Sequence, residues 1–179
     1  MEKANFGQLV SFIFGIANDC LGARGGIKHV AIALYKEGAI TANAETHKAD
    51  ESAELDWKHF YVRPNSSNFT QALTKDAANG ISYVTQTVNL VFTRMDTVKK
   101  IEMNALINAN LTVACQDAQG LWWICGYDAP ATCTAGTGDS GTAVGDGSKY
   151  TCALTAESEW YMNEASPELS AKLTALVNG

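Results

Sequence analysis

The sequence predicts a mostly β chain of the α+β class. The expected form is an antiparallel β-sandwich or barrel with one flanking helix after a long strand and a short C-terminal helix. Three observations lead there. Residues 81–94, ISYVTQTVNLVFTR, place Val84, Val88, Leu90 and Phe92 on one face and Tyr83, Thr85, Thr87, Asn89 and Thr93 on the other. A period of two with many β-branched residues is the pattern of a half-buried strand. Residues 95–110 then switch to helical spacing, with Met95, Val98, Ile101, Ala105, Leu106 and Ala109 in one broad stripe. Elsewhere short alternating runs follow one another with no β-α-β alternation, which argues for antiparallel sheets.

The elements follow in order. Residues 1–19 read as an N-terminal arm: Phe6, Leu9, Val10, Ile13 and Ala17 fall at helical spacing. A signal peptide is disfavoured there, because Glu2 offsets Lys3 and no A-x-A site follows. Gly25-Gly26 is the turn into a strand at 27–35, with Val30, Ile32 and Leu34 on one face. Residues 36–56 are polar and weakly patterned, and read as a long loop. Strands are expected at 57–63, stopped by Pro64, and at 69–75. Asp96 is well placed in the first turn of the helix at 95–110. Val98 lies in its apolar stripe, so Val98→Asp is expected to unfold the chain.

LTVACQD and LWWICGYD flank Ala118-Gln119-Gly120, a three-residue hairpin connection with glycine. Residues 129–148, rich in glycine, threonine and alanine, read as a second long loop. KYTCALTAES (149–158) alternates Tyr150, Cys152 and Leu154 as the last strand. At 166–179 Ser166 is a good N-cap with Pro167 behind it, and Leu169, Leu173 and Leu176 make an apolar edge.

Composition narrows the function. The 179 residues suit a single domain with a real core, and 46% apolar against 18% charged residues reads as globular. No apolar run approaches the roughly 20 residues that span a bilayer. The net charge is -6, and residues 111–179 carry only Lys149 and Lys172 against eight acids. No basic run is present to grip a phosphate backbone. The five cysteines have no C-x-x-C spacing, and Cys115, Cys125 and Cys152 sit in apolar alternating runs. They read as reduced thiols, with neither a disulfide frame nor a zinc site.

Motifs for chemistry are thin. GTGDSG (136–141) fits G-x-G-x-x-G, but a dinucleotide loop needs a strand before it and a helix after it. Here a strand follows, so the match reads as accidental and the segment as a connection. Asp128, Asp139 and Asp146 do not have the spacing of a calcium loop. His29, His47 and His59 stand apart from any nucleophile motif. Trp122 and Trp123 point to opposite faces of a strand, one into the core and one to an interface. The residues suggest no catalytic centre, cofactor or metal.

Three stretches taken in order carry a resemblance: CLGARGGIKHVAIALY (20–35), the helix followed by LTVACQDAQGLWWICGYD, and TGDSGTAVGDGSKYTCALTAESE. Together they resemble tail tube (major tail) proteins of long-tailed bacteriophages, most closely those of gut phages infecting Bacteroidales. The resemblance implies a tail-tube-like sandwich and a structural virion protein with no enzymatic activity and no cofactor. Six copies would close a ring whose sheets join as one barrel, and rings would stack into a tube. The implied partners are further copies of the chain, other tail proteins, and DNA passing transiently through a lumen that is generally acidic in this family. No membrane insertion is implied. The implied location is the virion tail, assembled in the bacterial cytoplasm.

On that resemblance Tyr83, Thr85, Thr87 and Asn89 are the candidate channel or inter-subunit face. Glu45, His47, Asp50, Asp139 and Asp146 are candidate ring-stacking residues in the two long loops. Trp122 and Trp123 are candidate interface aromatics. The helix is expected to pack on the sandwich away from the lumen. Alternatives are another ring-forming tail component, such as a terminator or neck protein, and a carbohydrate-binding sandwich that uses the tryptophans.

Overall fold

The computed structural model describes residues 24–63 and 65–179. The N-terminal arm and Cys20 lie outside the described residues. The chain is mostly β, in antiparallel sheets with flanking helices. Its strands are β1 (Ile27–Leu34), β2 (Ile40–Ala42), β3 (Ala49–Glu51), β4 (Lys58–Phe60), β5 (Asn68–Asp76) and β6 (Ile81–Thr93). Helix α1 (Thr97–Ile107) follows, then β7 (Leu111–Asp117), β8 (Trp122–Cys125), β9 (Thr132–Asp139), β10 (Lys149–Ser158), β11 (Asn163–Glu164) and helix α2 (Pro167–Asn178).

A five-stranded sheet has the order β11-β8-β7-β1-β4, and a four-stranded sheet has the order β5-β6-β10-β9. Their facing sides enclose the main core, built around Val30, Ile32, Val113, Cys115, Val88, Leu90, Cys152 and Leu154. Helix α1 adds Met103 and Leu106 to that core. A second core covers the other face of the five-stranded sheet. There Ala31, Ala33, Ala114, Trp122 and Ile124 meet Leu169 and Leu173 of α2 and Ile40 and Ala49 of the β2–β3 hairpin. The five-stranded sheet is therefore buried on both faces, which is why β7 is buried at every position from Leu111 to Cys115.

Local chemistry sets the helix ends. The Asp96 carboxylate accepts from the Lys99 amide at 2.8 Å and starts α1. The Ser166 hydroxyl accepts from the Leu169 amide, with Pro167 in the first turn of α2. Gly120 closes the β7–β8 hairpin at φ +96°, a left-handed conformation that suits glycine.

The structure corrects several expectations. Residues 36–56 are not one loop: β2 and β3 pair with Ile40 opposite Glu51. Their turn is held by the Asn43 side chain, which accepts from the amides of Glu45 and Thr46. Residues 129–148 are not one loop either, since β9 pairs with β10 over seven registered positions. The strand expected at 57–63 shortens to β4. In β1, Leu34 is 70% exposed at the sheet end, although Val30 and Ile32 are in the core.

The helix is shorter than 95–110 and turned differently. Met103 and Leu106 face the core, whereas Val98 and Ile101 are 69% and 61% exposed. Val98→Asp therefore puts a charge in water, and the expectation that it unfolds the chain does not hold.

Candidate functional site: an uncovered hydroxyl-lined sheet face

One sheet face is left uncovered by every other described element. It is the outer side of β5-β6-β10-β9. Along β6 the burial alternates without a break from Tyr83 to Phe92, with the even positions buried and the odd ones half-buried. Directly opposed residues of antiparallel strands point to the same face. The outer face therefore reads in rows. Thr70, Thr87, Thr155 and Thr132 stand side by side, and so do Asn68, Asn89, Ala153 and Ala135. The next row is Val91, Thr151 and Thr137.

These hydroxyls and amides bond to one another. Thr137 and Thr151 share a hydrogen bond of 2.7 Å, and Thr134 and Thr155 one of 3.0 Å. The Asn89 amide donates to the Asn68 side chain at 3.1 Å. Charges appear only toward the ends of the sheet. Asp139 and Lys149 stand opposite each other at one end, and Glu157 and Asp76 lie toward the other. The three central rows carry no charge, although the resemblance implies an acidic lumen wall.

The expected face residues Tyr83, Thr85, Thr87 and Asn89 do share this surface. The rest of the polar face was missed: Thr151 and Thr155 on β10, Thr132, Thr134 and Thr137 on β9, and Asn68 and Thr70 on β5. The alternation that turns Tyr150, Cys152 and Leu154 toward the core could have shown the two on β10. Those on β9 were hidden because that segment reads as a connection in sequence, and Asn68 and Thr70 lie on edge strand β5.

Both edges of this sheet lack a strand partner among the described residues. β5 forms one and β9 the other, nine and eight residues long. Every β9 residue except Cys133 is exposed.

The other expected site residues do not gather. Glu45 and His47 are exposed in the β2–β3 turn, where His47 has φ 55°. Asp50 lies in β3 and accepts from the Asn43 side chain at 3.0 Å. Asp139 accepts from the Gly141 amide, and Asp146 accepts from the amides of Thr142 and Ala143, so both hold the β9–β10 turn. These hydrogen bonds lower the Asp146 carboxyl below its usual range. Asp128 accepts instead from the Ser158 hydroxyl and the Glu159 amide. Of the G-x-G-x-x-G glycines, Gly136 and Gly138 are strand residues of β9. A Cβ on Gly136 would lie 3.1 Å from the Thr151 carbonyl, which gives a packing reason for that glycine.

The tryptophans do not form a platform. Trp122 is buried in the second core and donates its indole N–H to Thr174 at 3.1 Å. It is not the interface residue expected. Trp123 packs from the opposite side of β8 against the main core and donates to Asp117. The rings of His29 and His59 lie 5.5 Å apart, tilted by 56°, and burial lowers both imidazoles below their ordinary value. Among the described residues no group of three or more His, Cys, Asp or Glu side chains gathers as a metal site, and no helix is long and apolar enough to cross a membrane.

No protein-family model matches the chain. Comparison with curated proteins likewise gives no match.

Proposed function

We propose that this chain is a structural subunit of a bacteriophage tail tube. In this reading copies join edge to edge through β5 and β9, and six copies close a ring. The uncovered threonine face lines the channel, and stacked rings conduct the genome. The observation that carries the proposal is a four-stranded sheet that, among the described residues, has one hydroxyl-rich face uncovered and two unpaired edges of nearly equal length. Exposed strand edges invite pairing with another chain, and closing a ring removes them. The sequence resemblance supplies the class of assembly.

A wall of threonine and asparagine suits passage of a polyanion. It offers weak hydrogen bonds and has no row of cations to hold phosphates and release counterions. Asp76 and Glu157 add negative charge toward one end, and at the other Asp139 stands opposite Lys149. Helix α1 packs on the core side of the same sheet, away from the channel. The β2–β3 turn and the β9–β10 turn project Glu45, His47 and Asp146 as ring-stacking contacts. No catalysis and no cofactor enter this function.

Negative-stain electron microscopy of the purified protein, with mass measured as concentration rises, tests the proposal. Six-fold rings that stack into tubes are expected. Rings that never stack would move the assignment to a terminator or neck ring. A monomer that forms no ring even with other tail proteins would overturn it.

A further inference from the structure

We propose that Cys133 and Cys152 are an oxidisable dithiol, which a peroxide converts to a disulfide tying edge strand β9 to β10. The two sulfurs lie 3.3 Å apart. A disulfide is about 2.05 Å long, so closure needs an approach of about 1.2 Å. The register brings them together. Leu154 lies opposite Cys133, whereas Ala153 lies opposite Ala135, so β9 carries one extra residue at this point. That bulge at Thr134 turns Cys133 toward the core face, where it packs beside Cys152.

The two thiols differ in access. Cys152 is buried, whereas Cys133 is half-buried and lines an open groove of about 350 Å³ between α1 and β9. Lys100, Asn104 and Ile107 line the helix side of that groove. A peroxide molecule, little larger than water, can reach Cys133 by this route. Burial, together with the hydrogen bond and charge of Cys133, pushes the Cys152 thiol far above its ordinary range. Cys152 therefore stays protonated and acts second. Cys115 and Cys125 are fully buried in the main core and have no such opening.

The chemistry balances. The Cys133 thiolate attacks a peroxide oxygen and breaks the O–O bond, leaving a sulfenic acid and hydroxide. Cys152 gives its proton to that hydroxide, and its sulfur attacks the sulfenic sulfur. The S–S bond forms, the S–O bond breaks, and the departing hydroxyl takes a proton from water as it leaves. The two thiols lose two electrons in all, and hydrogen peroxide is reduced to water. The inference does not rest on the tube reading.

The test uses the full chain carrying Cys20→Ser, fully reduced and then exposed to dilute hydrogen peroxide. Remaining thiols are alkylated, and the protein is digested without reductant for mass spectrometry. The expected product joins the peptide of Cys133 to that of Cys152, with two hydrogens lost and full reversal by dithiothreitol. The oxidised protein should melt at higher temperature and return to its starting value on reduction. Cys133→Ser should abolish the linked peptide. Cys152→Ala should leave a sulfenic acid at Cys133 that dimedone captures. Over-oxidation of Cys133 without a link, a link joining any other pair, or complete alkylation after peroxide would each overturn the proposal.

Discussion

Gln86 sits in the middle of the longest strand, fully buried on its core face. Its side-chain amide donates to the Trp160 carbonyl at 2.8 Å, and its carbonyl accepts from the Gly126 amide at 3.4 Å. It thereby joins β6 to the segment after β8 and to the turn after β10. Gln86→Met keeps the approximate volume and removes both partners. An orphaned buried polar group costs about 1–3 kcal/mol. The Gly126 bond is long and Trp160 is half-exposed, so the lower part of that range applies to each. The expected loss is about 2 kcal/mol in total. Urea unfolding followed by tryptophan fluorescence reads it. With a slope near 2 kcal/mol per molar, the midpoint should fall by about 1 M with the slope unchanged. Gln86→Glu should fall further, because it buries a carboxylate where a neutral amide stood. A methionine variant as stable as the parent would refute the reasoning.

Other expectations follow from the same geometry. Val98→Asp should shift stability by no more than about 0.5 kcal/mol, whereas Leu106→Ala, on the buried side of α1, should cost about 2–5 kcal/mol in the same unfolding assay. Gly126→Ala should lower the thermal midpoint sharply, since its φ is +76° and the new Cβ would meet the Leu111 carbonyl at 2.8 Å. Burial raises the Glu51 carboxyl, but hydrogen bonds from Lys172, Leu55 and Trp57 and the Lys172 charge outweigh it, and the net shift is downward. A lowered carboxylate stabilises fully above its unfolded value, near 4.5, and loses that contribution as pH falls through the folded value. Thermal melts should drop below that pH, and Glu51→Gln should drop less steeply while starting from a lower value.

Parts of this architecture were legible for physical reasons that particular elements make plain. Among the described residues β6 is covered on one face only, so its alternation survives in the sequence. Asp96 and Ser166 cap by local chemistry that needs no tertiary knowledge. β9 was hidden because TCTAGTGD has almost no apolar side chain, and its place comes from pairing with β10. The strands β2 and β3 are three residues each, too short for a period to appear. In α1 the spacing alone did not say which apolar positions the sheets would cover; Val98 and Ile101 lie on the wet side, Met103 and Leu106 on the dry one. Gln86 broke the apolar pattern of its own face, so its burial could not be read. Of the candidate site, the β6 part was visible for the reason β6 was, the β10 part was readable from the alternation of that strand, and the β9 part was obscured with β9.

Hydrogen exchange of the edge strands tests the central claim most directly. Backbone amides of 68–76 and 132–139 are compared between the dispersed subunit and its assembled particles. Pairing of β5 with β9 of the next copy should slow exchange in both segments together, with little change in β1 and β7, which are already buried. Assembled particles in which both edges exchange as fast as in the free subunit would contradict a ring closed through this sheet.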